Sequence, residues 1–465
     1  MSFLQSEFLV FFGIVFCLYW AVHVRVAQNL LLVLASAVFY GWIHPSWLIL
    51  MYVAAGLDYL GGLAMGRWPE RKGVALFLSL SGNLGLLGYY KYYDFFLVNA
   101  ASALTALGVP HTLAPLGIVL PAGISFYTFQ SMAYSIDVYR GTIQPRKNFL
   151  DYVLAVSLFC HLVAGPVQRA GNLLVQAETP RVFDLERVRS GLTLTLWGAF
   201  KKIVCAGTVS PFVDKVFALE NPSSAMVWAA TLGFTVQILA DFSGYTDMAR
   251  GTARMLGWEL MENFRHPYLA SSPSDFWRRW HISFSTWIRD YLYISLGGSR
   301  GRFWRATAVT FVTMMLSGLW HGAHWNFVLW GTYHAALLVG HRVVAPRIPA
   351  VLKPRLASIA LMFVCTVVGW LLFRETDLSR IARFLTTNPL RNTQAEWIAT
   401  VMMLSVTAMA AAPLVAGLFF EKYLLSKISG TVWRHPVQTI GWTAMAVCLF
   451  VFQPMDAMEF IYFRF

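Results

Sequence analysis

Residues 304–321 read WRATAVTFVTMMLSGLWH, with Arg302 shortly before them and Gly322 directly after. As a helix rising about 1.5 Å per residue, the stretch covers about 27 Å, close to the hydrocarbon thickness of a bilayer. It predicts a membrane crossing whose last residue, His321, lies deep in the membrane and nearer the outside. Ionisable groups at such depth are costly and mark function by default. A neutral imidazole can take a proton at working pH, as a general base must. A buried histidine bonded to a backbone carbonyl would give the same pattern, and spacing alone does not separate the two.

The flanking chain extends the membrane reading. Of 465 residues, 57% are hydrophobic and 13% charged, about half the charge of a soluble globular chain. Further apolar runs lie at about 8–23, 29–44, 47–65, 74–98, 115–137, 190–213, 226–248, 325–341, 356–373, 396–419 and 437–455. Eleven or twelve crossings are expected. Basic residues follow every odd-numbered run: Arg25, then Arg67, Arg71 and Lys72, then Arg140, Arg146 and Lys147, then Arg250 and Arg254, then Arg342 and Arg347, then Lys422 and Lys427. The positive-inside rule places those loops in the cytosol and the N-terminus outside. Arg374, Arg380 and Arg383 break the alternation. The net charge of +13 is therefore read as loop charge that orients helices, and nucleic acid is not an expected partner. Five cysteines, Cys17, Cys160, Cys205, Cys365 and Cys448, sit far apart in apolar stretches and read as packing residues. Residues 1–7 carry Glu7 without Lys or Arg, and no small-residue cleavage site follows, so the first run is expected to remain as a helix.

Two stretches depart from ordinary spans. Residues 150–170 are apolar but end in Gly165-Pro166 with Arg169 behind them, the composition of a re-entrant segment that must be buried in protein. Residues 250–305 are cytosolic by charge, yet carry Trp277, Trp280, Trp287, Tyr291 and Tyr293 among arginines, as half-buried interfacial helices do. No repeat, low-complexity tract or soluble domain interrupts the chain. Residues 1–465 read as one polytopic membrane domain, with 250–305 carrying part of the site.

Within that segment stands Trp277-Arg278-Arg279-Trp280-His281. Taken alone, it is a membrane-surface helix with snorkelling arginines. The functional alternative gives Arg278, Arg279 and Arg289 to donor phosphates, Trp280 to a channel wall, and His281 to an acyl carbonyl. Asp241-Phe242-Ser243-Gly244-Tyr245-Thr246-Asp247 ends another apolar run. Its carboxylates and hydroxyls demand partners: Asp241 and Ser243 either join helices or serve the substrate and a catalytic histidine. Trp320 and His334 are candidates for the same substrate region. His324 shares a helix face with His321, but no carboxylate or thiol stands nearby as a third ligand, so no metal site is expected.

These residues resemble the membrane-bound O-acyltransferase (MBOAT) family, in particular its bacterial branch acting in alginate O-acetylation. The likeness is carried by Asn83 through Tyr93, Pro121 through Gly141, Leu162 through Pro166, Asp241 through Met248, Asp275 through Ser285, Leu319 through Trp330, and the closing Phe460-Ile461-Tyr462-Phe463-Arg464-Phe465. The resemblance implies an all-α integral membrane fold, a ring of about 11–12 tilted helices with re-entrant and interfacial helices around a central tunnel. It makes His321 the catalytic histidine, His281 the second active-site position, and His334 the histidine of a Trp-Gly-x-x-His stretch. It further implies a thioester donor, first of all acetyl-CoA, which is a substrate with no cofactor beside it. A location in the bacterial inner membrane follows, as does an extracytoplasmic acetyltransferase partner that completes O-acetylation of a polysaccharide such as alginate. Two alternatives stay open: D-alanyl or other acyl transfer from a carrier protein to a cell-envelope polymer, and transport of a polysaccharide intermediate. His324, Ala335 and Arg250 depart from the family pattern, where a small residue or Asn, a Gly and an apolar residue are usual.

Overall fold

The computed structural model describes residues 1–42, 44–163, 165–347, 354–425, 427, 431 and 434–453. Ala164 and the closing stretch Phe460–Phe465 lie outside the described residues. The fold is all-α, with no strand among the described residues. In chain order the helices are α1 (Ser6–Ala21), α2 (Arg25–Gly41), α3 (Trp47–Arg67), α4 (Lys72–Leu87), α5 (Tyr93–Ala106), α6 (Ile124–Arg140), α7 (Phe149–Ser157), α8 (Phe159–Leu162), α9 (Ala170–Glu178) and α10 (Leu185–Phe200). They continue as α11 (Gly207–Ala218), α12 (Ser224–Met255), α13 (Pro273–Trp277), α14 (Ile282–Trp287), α15 (Phe303–His321), α16 (Trp325–Val344), α17 (Arg355–Arg374), α18 (Leu378–Thr386), α19 (Gln394–Phe419) and α20 (Arg434–Val451). The chain divides into two compact units. The first comprises Met1–Val188, Thr252–Met261 and Arg289–Tyr291; the second comprises Arg189–Gly251, Glu262–Ile288 and the described part of Leu292–Phe465.

Among the described residues, six helical segments are long and apolar enough to cross a membrane: Trp47–Arg67, Pro69–Ala106, Leu185–Ala218, Ser224–Met255, Arg355–Arg374 and Gln394–Tyr423. Ser6–Ala21, Arg25–Gly41 and His435–Val451 are apolar but shorter. On α2 the polarity is inverted relative to a soluble helix. Leu30, Leu34 and Val38, at four-residue spacing, are exposed, whereas Gln28, Asn29 and Ser36 are buried. That arrangement suits a lipid-facing helix. The run at 115–137 is only partly helical. Pro115 and Pro121 remove backbone donors and disfavour helix before them, and Gly123 turns at φ 76° before α6 begins at Ile124.

Within the first unit, buried polar groups are paired across helices. Asp151 on α7 accepts from Asn29 Nδ2 at 2.7 Å and pairs with Arg25 at 3.0 Å. Asp58 on α3 accepts from Asn83 Nδ2 at 2.7 Å and from the Ser79 hydroxyl. The broken pair α7–α8, interrupted at Leu158, is buried from Asp151 to Val163. Irregular backbone at membrane depth is tolerated only in such a setting.

The second unit is held by glycines. A Cβ on Gly198 of α10 would stand 2.5 Å from the Gly244 carbonyl oxygen of α12, and one on Gly244 2.6 Å from that of Gly198. Seven residues along each helix, a Cβ on Gly251 would meet the Gly191 carbonyl oxygen. Small residues let backbones touch where lipid offers no hydrophobic drive between helices. The arginines that break the charge alternation bind the end of α11. Arg374 pairs with Asp214 at 2.9 Å, Arg380 donates to the Phe217 carbonyl at 3.1 Å, and Arg383 donates to Asn221 at 3.0 Å. They fasten a helix C-terminus, where cations are favoured, so local pairing accounts for their place. The interfacial segment expected at 250–305 is narrower in the structure: residues 250–255 end α12 and 303–305 begin α15, and between them lie short pieces, α13 and α14 with a 3-10 turn at Pro267–Leu269 and a π turn at Ile288–Tyr293.

Gly198→Val is expected to force α10 and α12 apart and destabilise the protein by about 1–3 kcal/mol. Thermal unfolding in detergent would show a lowered midpoint, with Gly340→Val, which meets open space, as the control. Equal midpoints for the two variants would show that the seam is not close-packed.

Candidate active site

α15 and α16 pack antiparallel with their backbones in contact. A Cβ on Gly318 would meet the Phe327 carbonyl oxygen, and one on Gly331 the Met314 carbonyl oxygen. His321, the last residue of α15, and His334 each lie one turn beyond one of these glycines. At the start of α16, Asn326 Nδ2 donates to the carbonyls of Leu372 and Phe373 at 3.2 and 3.1 Å. The ends of α15, α16 and α17 therefore meet at one place.

Aromatic rings enclose His321 there. Its ring centroid lies 5.1 Å from Trp320, 5.1 Å from Trp330, 5.4 Å from Phe373 and 5.5 Å from Phe284. His281 stands 6.4 Å from His321, with Phe284 stacked on it at 4.9 Å and Phe242 edge-on at 4.7 Å. His334 packs against Trp330 at 4.8 Å and Trp277 at 5.1 Å. Trp280 lies tilted on Trp370 at 4.8 Å. All three histidines are buried.

His281 is held in an unusual way. Its backbone adopts φ 42°, ψ 53° just before α14, a left-handed conformation that costs a non-glycine residue about 1–2 kcal/mol. Both ring nitrogens are buried without a hydrogen-bond partner among the described residues. Burial pushes the imidazole down to about 3. It is therefore neutral at physiological pH and offers one N–H donor and one acceptor. Strained backbone and unused buried polar atoms are features that collect at functional sites.

The remaining sequence candidates fall elsewhere. Asp241 pairs with Lys202, and Ser243 accepts from Lys201 Nζ at 2.9 Å, while Lys201 also pairs with Asp247 at 2.6 Å. These ion pairs join α12 to the π turn Lys201–Ala206. The residue between Asp241 and Ser243, Phe242, is the one that touches His281. Arg278 is open to solvent, with 71% of its side chain exposed and Asp275 3.7 Å away; Arg279 is held by Asp275 at 3.0 Å. Arg289 belongs to the first unit, where it pairs with Asp290 at 2.6 Å.

Sequence reasoning missed Lys201, Lys202, Asn263, Phe284 and Phe373. Two adjacent lysines inside the apolar run 190–213 were a legible signal, since charge at such depth needs a partner. Asn263 and the phenylalanines carried none.

The family model for the membrane-bound O-acyltransferase family matches residues 139–375, a stretch that contains all three histidines. The chain is 40% identical over 383 residues to the "Probable alginate O-acetylase AlgI" of Pseudomonas aeruginosa, covering 81% of this chain and 73% of that protein. It is 41% identical over 355 residues to the protein of the same name from Azotobacter vinelandii, covering 76% and 70%. To the peptidoglycan O-acetyltransferase of Helicobacter pylori it is 32% identical over 390 residues, covering 77% and 73%. With a histidine cage enclosed by aromatic rings in an all-α membrane fold, and with similarity of this extent, the chain belongs to the membrane-bound O-acyltransferase family.

Proposed function

We propose that this acyltransferase moves an acetyl group from a cytosolic thioester, acetyl-CoA, to a hydroxyl acceptor for O-acetylation of an extracytoplasmic polysaccharide such as alginate, working in the bacterial inner membrane. The observation that carries the reading is the pair of buried imidazoles, 6.4 Å apart between ring centroids and wrapped in aromatic rings. His321 acts as general base. It takes the proton of the acceptor hydroxyl as that oxygen attacks the thioester carbonyl carbon. The C–S bond then breaks, and the imidazolium returns its proton to the leaving thiolate, so the histidine ends neutral. His281, neutral through burial, donates its N–H to the carbonyl oxygen as negative charge develops there. Trp320 and His334 belong to the walls that position the acyl group.

Exposed Arg278 suits the donor's phosphates better than Arg279, which is engaged by Asp275. Asp241 and Ser243, engaged by lysines, support the walls of the site and leave substrate contact to their neighbours. Support for a polysaccharide acceptor comes from relatives named for alginate and peptidoglycan O-acetylation. In this reading an extracytoplasmic acetyltransferase completes the transfer to the polymer.

Membranes bearing the full chain, supplied with radiolabelled acetyl-CoA, test the proposal through label appearing in the envelope polymer. His321→Ala is expected to lower the rate by about a hundredfold or more while the protein accumulates normally; a wild-type rate would sink the mechanism. Arg278→Gln should raise KM for acetyl-CoA by about two- to fivefold with kcat kept, and an unchanged KM would remove Arg278 from the donor site. Because burial holds His281 far below neutrality, it is already neutral across the working range. His281→Gln should therefore lower the rate without moving the acid limb of the pH profile, and a displaced limb would contradict a neutral donor.

A further inference from the structure

Asn263 is fully buried and lies 18 residues before His281 in sequence. Its own carbonyl accepts from Ile282 N at 3.0 Å. Its side-chain Oδ1 accepts from Ser283 N at 3.2 Å and from the Ser283 hydroxyl at 2.6 Å. Its Nδ2 donates to Thr246 Oγ1 on α12 at 3.3 Å. Asn263 thus holds both residues that follow His281, Ile282 through its backbone carbonyl and Ser283 through its side chain, and the side chain alone ties Ser283 to the helix that also presents Phe242 to the imidazole. Two of these bonds occupy the first N–H groups of α14, which have no partner within the helix. His281 sits at the mouth of that turn in the left-handed region, a conformation that persists only when its surroundings over-determine it.

We propose that Asn263 is a positioning residue for His281: it holds the turn at Ile282–Ser283 so that the imidazole is fixed toward His321. This rests on the proposed role of His281 in acyl transfer. Asn263 touches no reacting atom. Its contribution lies in where the ring stands, and small displacements of a catalytic group carry large losses of rate. The acceptor atom Oδ1 is the essential one, because it takes both Ser283 bonds. An aspartate at the same position keeps that acceptor, and an alanine does not.

The test uses the full chain in membranes, with radiolabelled acetyl-CoA as probe and rates normalised to the amount of protein in the membrane. Asn263→Ala should lower kcat by about tenfold to a hundredfold with KM for acetyl-CoA nearly unchanged, and Asn263→Asp should recover most of the loss. In a His281→Gln background, Asn263→Ala should have no further effect, because the group it positions is gone. Equal fold-losses in both backgrounds, or an aspartate no better than alanine, would overturn the positioning role while leaving the reading of His281 intact. A wild-type rate for His281→Gln alone would overturn both. Should the double variant fall to background, the alanine–aspartate comparison decides by itself. Should Asn263→Ala fail to accumulate, Ser283→Ala removes the hydroxyl bond from the other side and carries the same comparison with the same expected sign.

Discussion

Backbone contact between α15 and α16 sets where His321 and His334 stand, and the rest of the site is built against them. Without a hydrophobic drive between helices in lipid, association depends on close packing and on polar groups that meet across the interface. Gly318 and Gly331 supply the first, since neither position has room for a Cβ. One turn past each glycine stands a histidine, His321 or His334, with Trp320 and Trp330 close beside them in sequence. A shift of one helix along the other would separate these rings. Asn326 then fastens the end of α17, which brings Phe373 and Trp370 to the same place.

A second layer of constraint comes from charge buried beside the cage. Lys202 and Asp241 are both almost fully buried, and Lys201 reaches Ser243 and Asp247 from the next position along the chain. Removing two ions from water costs several kcal/mol each, so such pairs are weak arguments for stability. Their geometry is more informative. They grip α12 on either side of Phe242, whose ring edge meets His281. The two lysines are neighbours in sequence, and the wider π turn lets both face α12, an irregularity often found at functional sites.

Much of this was readable in the sequence because its signals are local. Apolar runs gave an all-α membrane chain, and the cost of an imidazole in such a run singled out His321 as a candidate. His281 stood among tryptophans and arginines too concentrated for an ordinary loop. What escaped were pairings between distant residues. Asp241 stayed open between joining helices and serving substrate because nothing near it in sequence shows that Lys202, 39 residues earlier, pairs with it. Arg374, Arg380 and Arg383 contradicted the charge rule until their partners on and after α11 appeared. The run at 115–137 overreached for a different reason: hydropathy ignores what Pro115, Pro121 and Gly123 do to a helix.

His281 presents an energetic argument that packing alone does not answer. A buried polar atom without a partner costs about 1–3 kcal/mol, and a left-handed backbone at a non-glycine residue costs about 1–2 kcal/mol more. An apolar side chain at this position would carry only the second cost, and a glycine neither. The imidazole is therefore a more expensive way to fill this space than an apolar side chain or a glycine unless something accepts from its N–H. In the proposed reaction the thioester carbonyl is that acceptor, and its bond strengthens as charge builds on the oxygen. The aromatic rings contribute to the same end. In the proposed reaction they surround the acyl group with apolar walls, where the bond from the imidazole counts for more than it would in water.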